Sequence, residues 1–239
     1  QYSSPHVAAS RHAAAIAAVT LLTISDSFAM PTKLELYNGA LGLIGERSLT
    51  SLTEDVPPRY YLDERYAAGR LYCLEQGLWN FARRSSELQE NPSVEPQFGL
   101  TYAYTKPDDW CRTMMVSGSA KFDFPLDDYE DEQGYIFSDQ HPIYFAYVSK
   151  DVQYGLDMGK WPQLFTKFVE AHLAAEICTK NTQSASRHDD LRKMERARLL
   201  DSRSKDAMNE RSRRPPPGRW VRSRGGFTNT GSRWNGQLR

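Results

Sequence analysis

The chain has 239 residues, 40% of them hydrophobic, so it can fill one large core or two small ones, and a chain too polar to fold is excluded. Its 30 basic and 30 acidic residues cancel, yet acids crowd the middle (Asp123, Asp127, Asp128, Glu130, Asp131, Glu132, Asp139) and arginines fill the end, a bipolar pattern suited to stacking between partners. Cys73, Cys111 and Cys178 are odd in number and widely spaced, which speaks against a disulfide framework or a cysteine metal motif and fits a reducing compartment.

Residues 1–29 place Arg11 ahead of an apolar run, Ala13 to Ile24, that ends near Ser27-Phe28-Ala29, just before Met30. This superficially resembles a secretory signal, and the run is shorter than the about 20 apolar residues that a membrane span needs. The expectation is that the functional module starts at Met30 and that 1–29 is an extension without an assigned role.

From Leu34 to Glu46, Leu34, Tyr37, Leu41 and Ile44 recur at helical spacing, with Leu36, Ala40 and Leu43 widening the stripe. Gly45 sits where a left-handed residue closes a helix. The connector Ser51-Leu52-Thr53-Glu54-Asp55 leads to Pro57-Pro58, which suit a first helical turn. A second helix is predicted from about Tyr60 to Leu78. Leu62, Tyr66, Gly69 and Cys73 form one apolar row, Ala67, Leu71, Leu74 and Leu78 the next, and the helix runs into Trp79-Asn80-Phe81-Ala82-Arg83-Arg84.

The period then changes from helical to alternating. Gln97–Tyr104, Arg112–Val116, Lys121–Phe124, Tyr135–Phe137 and Ile143–Val148 are short, rich in aromatic and β-branched residues and divided by Pro, Gly and Asp clusters. They predict one small antiparallel sheet, entered through Asn91 to Pro96 and carrying an acidic loop from Leu126 to Gly134.

Helical pattern returns at Trp161-Pro162, with Leu164, Phe165, Phe168, Val169, Leu173 and Ile177 on a broad apolar face. A fourth, highly charged helix is predicted from Ser186 to about Arg213, with Leu191, Met194, Ala197, Leu200 (or Leu199), Ala207 and Met208 on a narrow seam. Pro215-Pro216-Pro217-Gly218 ends it. The fold class is therefore α+β: about four helices forming a bundle over 30–90 and 150–213, an inserted β-domain over 91–149, and an extended arm over 214–239. Leu41, Ile44, Leu74, Leu164, Phe168 and Leu173 are the expected bundle core.

These pieces, in this order, resemble the tail tubular protein A and head–tail adaptor family of tailed bacteriophages: a helix ending in L-I-G-E, the connector S-L-T-E-D, a helix with Asp63, Arg65, Ala67 and Arg70, and then W-N-F-A-R-R. Phe98 to Tyr104 followed by Lys106-Pro107-Asp108-Asp109-Trp110-Cys111-Arg112 is similar to that family's F-x-x-A-Y-x-L-P-x-D-C-L-R segment, and Trp161-Pro162-Gln163-Leu164-Phe165 opens a long helix as it does there. The resemblance runs from about Leu34 to Met208. It implies a virion protein at the head–tail junction, assembled in the host cytoplasm as a ring, usually dodecameric, with double-stranded DNA passing through its lumen without sequence recognition. The helical part would build the ring wall and face the portal protein, and the sheet would meet the tail nozzle, stopper or tail tube, with Asp127, Asp128, Glu130 and Asp131 as a tail-facing acidic loop. The extended arm departs from tail tubular protein A and looks more like the C-terminus of long-tailed phage adaptors.

The residues themselves speak against catalysis. His6, His12, His141, His172 and His188 do not fall at metal spacing, and phosphate-loop, nucleophile-elbow and HExxH motifs are missing. His172 reads as a satisfied core or interface histidine and Cys178 as a small buried hydrophobe. The acidic loop lacks the spacing and glycine of a calcium loop. No enzyme, metal or cofactor is expected, and no membrane partner. The arm supports two readings: Arg219, Trp220, Arg222, Arg224, Phe227, Arg233 and Trp234 dock on the portal, projected by the stiff prolines, or they hold nucleic-acid phosphate in a DNA-binding packaging or regulatory protein. A secreted protein with 1–29 as its signal is a further alternative.

Overall fold

The computed structural model describes residues 31–96, 99–182 and 184–210. The extension 1–29, the predicted end of the last helix near Arg213 and the arm residues Arg219, Trp220, Arg222, Arg224, Phe227, Arg233 and Trp234 lie outside them. The described residues up to Asn209 form one compact unit. They contain four α-helices, α1 (Lys33–Ile44), α2 (Pro57–Glu75), α3 (Gln163–Thr182) and α4 (Ala185–Met208). Between α2 and α3 run six strands: β1 (Arg83–Leu88), β2 (Tyr102–Thr105), β3 (Trp110–Ser117), β4 (Tyr129–Glu132), β5 (Tyr135–Ser138) and β6 (Ile143–Ser149). The chain is α+β.

Local chemistry sets the helix ends. Thr32 and Glu35 cap α1 reciprocally, the Glu35 amide donating to Thr32 Oγ1 (3.2 Å) and the Thr32 amide to Glu35 Oε2 (2.8 Å). Gly45, at φ 82°, closes the same helix in the left-handed conformation that its sequence position predicts. Pro57 and Pro58 occupy the first turn of α2, where a missing N–H costs nothing. α2 ends at Glu75, short of the predicted Leu78, because the chain turns so that the Trp79 indole donates to the carbonyls of Cys73 (3.1 Å) and Leu74 (3.0 Å). A 3-10 turn, Asn80–Ala82, then leads into β1.

The helices share a core of Leu36, Tyr37, Leu41, Ile44, Leu62, Cys73, Leu74, Phe165, Phe168, Val169 and Leu173. Five of the six expected core positions are in it; Leu164 is half-buried and outside, and its neighbour Phe165 fills the interior instead. One residue turns the side chain by about 100° around the helix, and Phe165 is the one that meets Trp79, Phe81 and Trp161.

The strands make two three-stranded antiparallel sheets, in the orders β1-β6-β3 and β2-β5-β4, where the sequence predicted one. β6 lies in the middle of the first sheet and is buried on both sides. Ile143, Phe145 and Tyr147 meet Tyr104 and Ile136 of the second sheet, and Val148 on the opposite side joins the helical core. The outer strand β1 comes from Arg83–Leu88, so strand structure begins inside the span assigned to helices, before residue 91. Its sequence RRSSEL has few β-formers, and pairing with β6 along its whole length overrides that propensity. Lys121–Phe124 is not a strand: Phe122 adopts φ 51° in a turn whose amide reaches Ser119 O (2.9 Å). Conversely Tyr129–Glu132, half of the predicted acidic loop, is strand β4 paired with β5.

Burying a Phe or Leu side chain contributes about 1.5–3 kcal/mol, and its removal also leaves a cavity. Phe168→Ala or Leu173→Ala should therefore cost about 2–5 kcal/mol in urea unfolding, and Leu164→Ala clearly less; an equal loss at Leu164 would contradict its place outside the core.

Candidate functional site

Three polar clusters and one acidic edge carry the chemistry of the described residues. The acidic edge is the β4–β5 hairpin with the segment before it. Asp127, Asp128 and Glu130 are exposed there, as a surface meeting a partner requires. Asp131 is not available in the same way: it pairs with the Lys106 ammonium and accepts from Thr113 Oγ1 (3.1 Å). Lys106 is almost wholly buried, its ammonium 4.1 Å from the centroid of the Trp110 ring, so Asp131 neutralises an interior cation. All four acids predicted to face a partner are thus exposed, and one of them, Asp131, also pairs with the interior Lys106.

At the junction of sheet and helices, the Asp109 carboxylate accepts from Ser149 Oγ (2.5 Å), Arg84 Nη1 (2.9 Å) and Tyr147 OH (3.0 Å). Burial pushes this carboxyl up, but the three donors outweigh it and hold the group below the usual carboxylate range. On the helical side, Asp63 receives Tyr37 OH (2.7 Å), Lys33 Nζ (2.8 Å) and Arg59 Nη1 (2.8 Å). Its pKa is likewise lowered against the effect of burial.

The third cluster lies under α4. The sequence predicted that α4 packs through Leu191, Met194, Ala197, Leu200 (or Leu199), Ala207 and Met208. Only Leu191 of these is buried; Leu199 is half-buried against the helical core, whereas Leu200 is 64% and Met208 74% exposed. The buried stripe is instead Leu191, Glu195, Ser202 and Asp206, which recurs at helical period on the other side of the helix. Each acid in it has a partner. Glu195 Oε1 lies 2.8 Å from His172 Nδ1, and Glu195 Oε2 accepts from Arg192 Nη1 (2.9 Å). Arg192 also donates to Glu176 (2.6 Å). Asp206 accepts the Asn80 amide (3.0 Å), and Asn80 Nδ2 returns to the Asp206 carbonyl (3.0 Å). Arg198 donates to the Lys167 carbonyl (2.8 Å), and Arg203 to that of Gln76. Burial raises the Glu195 pKa, and the bonds from His172 and Arg192 more than reverse it, leaving the group lowered.

His172 is buried, as expected, and stacks on Tyr72 with ring centroids 4.4 Å apart. Beside it α2, α3 and α4 enclose an open cleft of about 510 Å³. Glu195, Arg192 and Asp206 escaped the sequence reading because it oriented α4 by its apolar residues, whereas the inward side is polar apart from Leu191. Cys73 and Cys178 are buried and Cys111 half-buried; burial pushes the Cys111 thiol up to about 11, which suits an unreactive side chain.

Among the described residues no group of three or more His, Cys, Asp or Glu side chains is placed to hold a metal ion, and no helix is long and apolar enough to cross a membrane. The chain matches no known protein-family model, and no curated protein matches it.

The lowered carboxylates fix the sign of the pH response. A group with a depressed folded pKa stabilises the fold above its unfolded value and loses that contribution as pH falls through the folded one. Stability should therefore decline on the acid side below the ordinary carboxylate range, and Glu195→Gln should flatten part of that decline while lowering stability at neutral pH. Urea midpoints of both proteins from neutral to acid pH measure it; parallel curves would contradict the role of Glu195.

Proposed function

We propose that the chain is a non-enzymatic head-to-tail connector of a tailed bacteriophage virion, a homo-oligomeric ring that joins the portal to the tail and forms part of the DNA channel. In this reading the helices make a bundle that builds the ring wall, with the strands as an inserted domain turned toward the tail. The segment 214–239 is an arm that docks on the portal.

The observation that supports it most is where the adaptor-like stretches lie in the fold. W-N-F-A-R-R supplies Trp79 to the core, Asn80 to Asp206 and Arg84 to Asp109. P-D-D-W-C-R supplies Asp109 itself, and W-P-Q-L-F supplies Trp161, whose indole donates to Gly155 O (2.8 Å), and Phe165. The stretches that carry the resemblance are thus the fasteners of the tertiary structure, the positions a shared fold would require. Two surfaces suit contacts within a ring and with a tail: the solvent side of α4, with exposed Met194, Leu200 and Met208, and the acidic edge at Asp127, Asp128 and Glu130.

An arm of arginines interleaved with Trp220, Phe227 and Trp234 contains the residue types that dominate interface hot spots. Its acid-free composition also keeps open a packaging or regulatory protein that binds DNA phosphate. Truncation separates the two. Removal of residues 215–239 should leave a folded protein that no longer co-sediments with portal particles, while duplex DNA binding by the full chain stays weak at physiological salt. Unchanged portal attachment would refute the docking role. Tight duplex binding with a salt dependence abolished by the truncation would favour the DNA-binding reading.

A further inference from the structure

The cleft between α2, α3 and α4 has a chemistry that the connector reading does not use. Its wall includes Arg65 and Tyr72 from α2, His172 and Glu176 from α3, and Arg192, Glu195 and Arg196 from α4. Both carboxylates are taken, since Arg192 bonds Glu176 (2.6 Å) and Glu195 (2.9 Å), and Glu195 also meets His172. Arg65 comes no nearer to a carboxylate than 3.7 Å from adjacent Glu64, which itself accepts from Lys180 (3.1 Å). Among the described residues no carboxylate lies within ion-pair distance of Arg196. The lining therefore carries one positive charge in excess.

His172 is the most telling group. Its Nδ1 is committed to Glu195, which leaves Nε2 as the nitrogen for a ligand. Gly69 gives the ring its space: a Cβ there would come within 3.3 Å of the His172 ring and 3.0 Å of Leu173. The imidazole stacks at 17° on Tyr72, which is 42% exposed and offers a flat wall at the mouth.

We infer that this cleft is an oxyanion site for a small phosphate monoester, with Arg65 and Arg196 meeting the phosphate, Nε2 of His172 hydrogen-bonding to it, and Tyr72 flanking a planar substituent. A phosphate monoester carries about −1.5 to −2 charge near pH 7, which the Arg65 and Arg196 guanidiniums together match. The volume of about 510 Å³ suits a small organic phosphate. The inference is independent of the connector reading.

Titration calorimetry of the full chain with inorganic phosphate and with adenosine monophosphate tests it. Saturable one-site binding is expected, weakened at least ten-fold by Arg196→Ala and less than two-fold by Lys193→Ala, whose side chain is 75% exposed and outside the cleft. His172→Gln, which removes the Nε2 contact, should weaken binding of both probes as well. Arg196 is exposed, so its variant tests the site even if His172→Gln does not fold. Tighter binding of the nucleotide than of phosphate assigns the planar part to Tyr72, and equal binding assigns the site to the phosphate group; either supports the inference. Failure of both probes to saturate, or binding insensitive to Arg196→Ala because the arginines of 211–239 hold the anion, overturns it.

Discussion

Phe165 is the point on which the architecture closes. Its ring lies 4.8 Å from those of Trp79 and Phe81 and 5.1 Å from that of Trp161. Trp79 and Phe81 stand where the chain leaves α2 for the strands, and Trp161 stands where it comes back to start α3. One aromatic cluster therefore ties both ends of a long excursion to the helical core. Aromatic contacts of this kind add to the area they bury, and they leave little freedom for the segments between them. The Asp109 junction adds a polar clamp nearby, joining β1, β3 and β6 through Arg84, Ser149 and Tyr147.

α3 continues from that cluster as the most buried helix. Phe168, Val169, Leu173 and Ile177 face the core, and Ala171, Ala174 and Ala175 let neighbouring backbones approach. α4 is attached differently. Its inward stripe is polar apart from Leu191, and Glu195 and Asp206 meet His172, Arg192 and Asn80 rather than an apolar surface. Buried charges held by hydrogen bonds add little net stability but are costly to break singly, so they specify where α4 sits more than they strengthen it. The same arrangement leaves the solvent side of α4 with Met194, Leu200 and Met208, apolar groups that an isolated chain gains nothing by exposing.

Much of the fold was legible because its signals were local. The helical stripe of Leu36, Tyr37, Leu41 and Ile44, the closing Gly45 and the proline start of α2 each follow from one short stretch. What was not legible depends on partners far away in sequence. β1 is a strand because β6 pairs with it, although RRSSEL has weak β propensity. Glu130 and Asp131 lie in β4 because β5 pairs with that stretch, and Asp131 is drawn to Lys106, so the acidic loop is in part a ladder and an internal ion pair. α4 was oriented by its apolar residues, whereas the buried acids of its inward side depend on a histidine of α3 and an asparagine after α2. The His172 cleft was missed for the same reason: Arg65, His172 and Arg196 are far apart in sequence and meet only once three helices have packed.

The proposed connector accounts for these features together: a body fixed by aromatic and polar clamps, apolar side chains left on an outer helix, an exposed acidic edge, and a C-terminal sequence of arginines interleaved with aromatics. The central claim is that copies of this chain close into a ring upon a portal. Electron microscopy of the full-length protein mixed with portal particles tests it most directly. The account predicts an added annulus of protein density coaxial with the portal channel, and particles that stay bare beside a monodisperse monomer would contradict it.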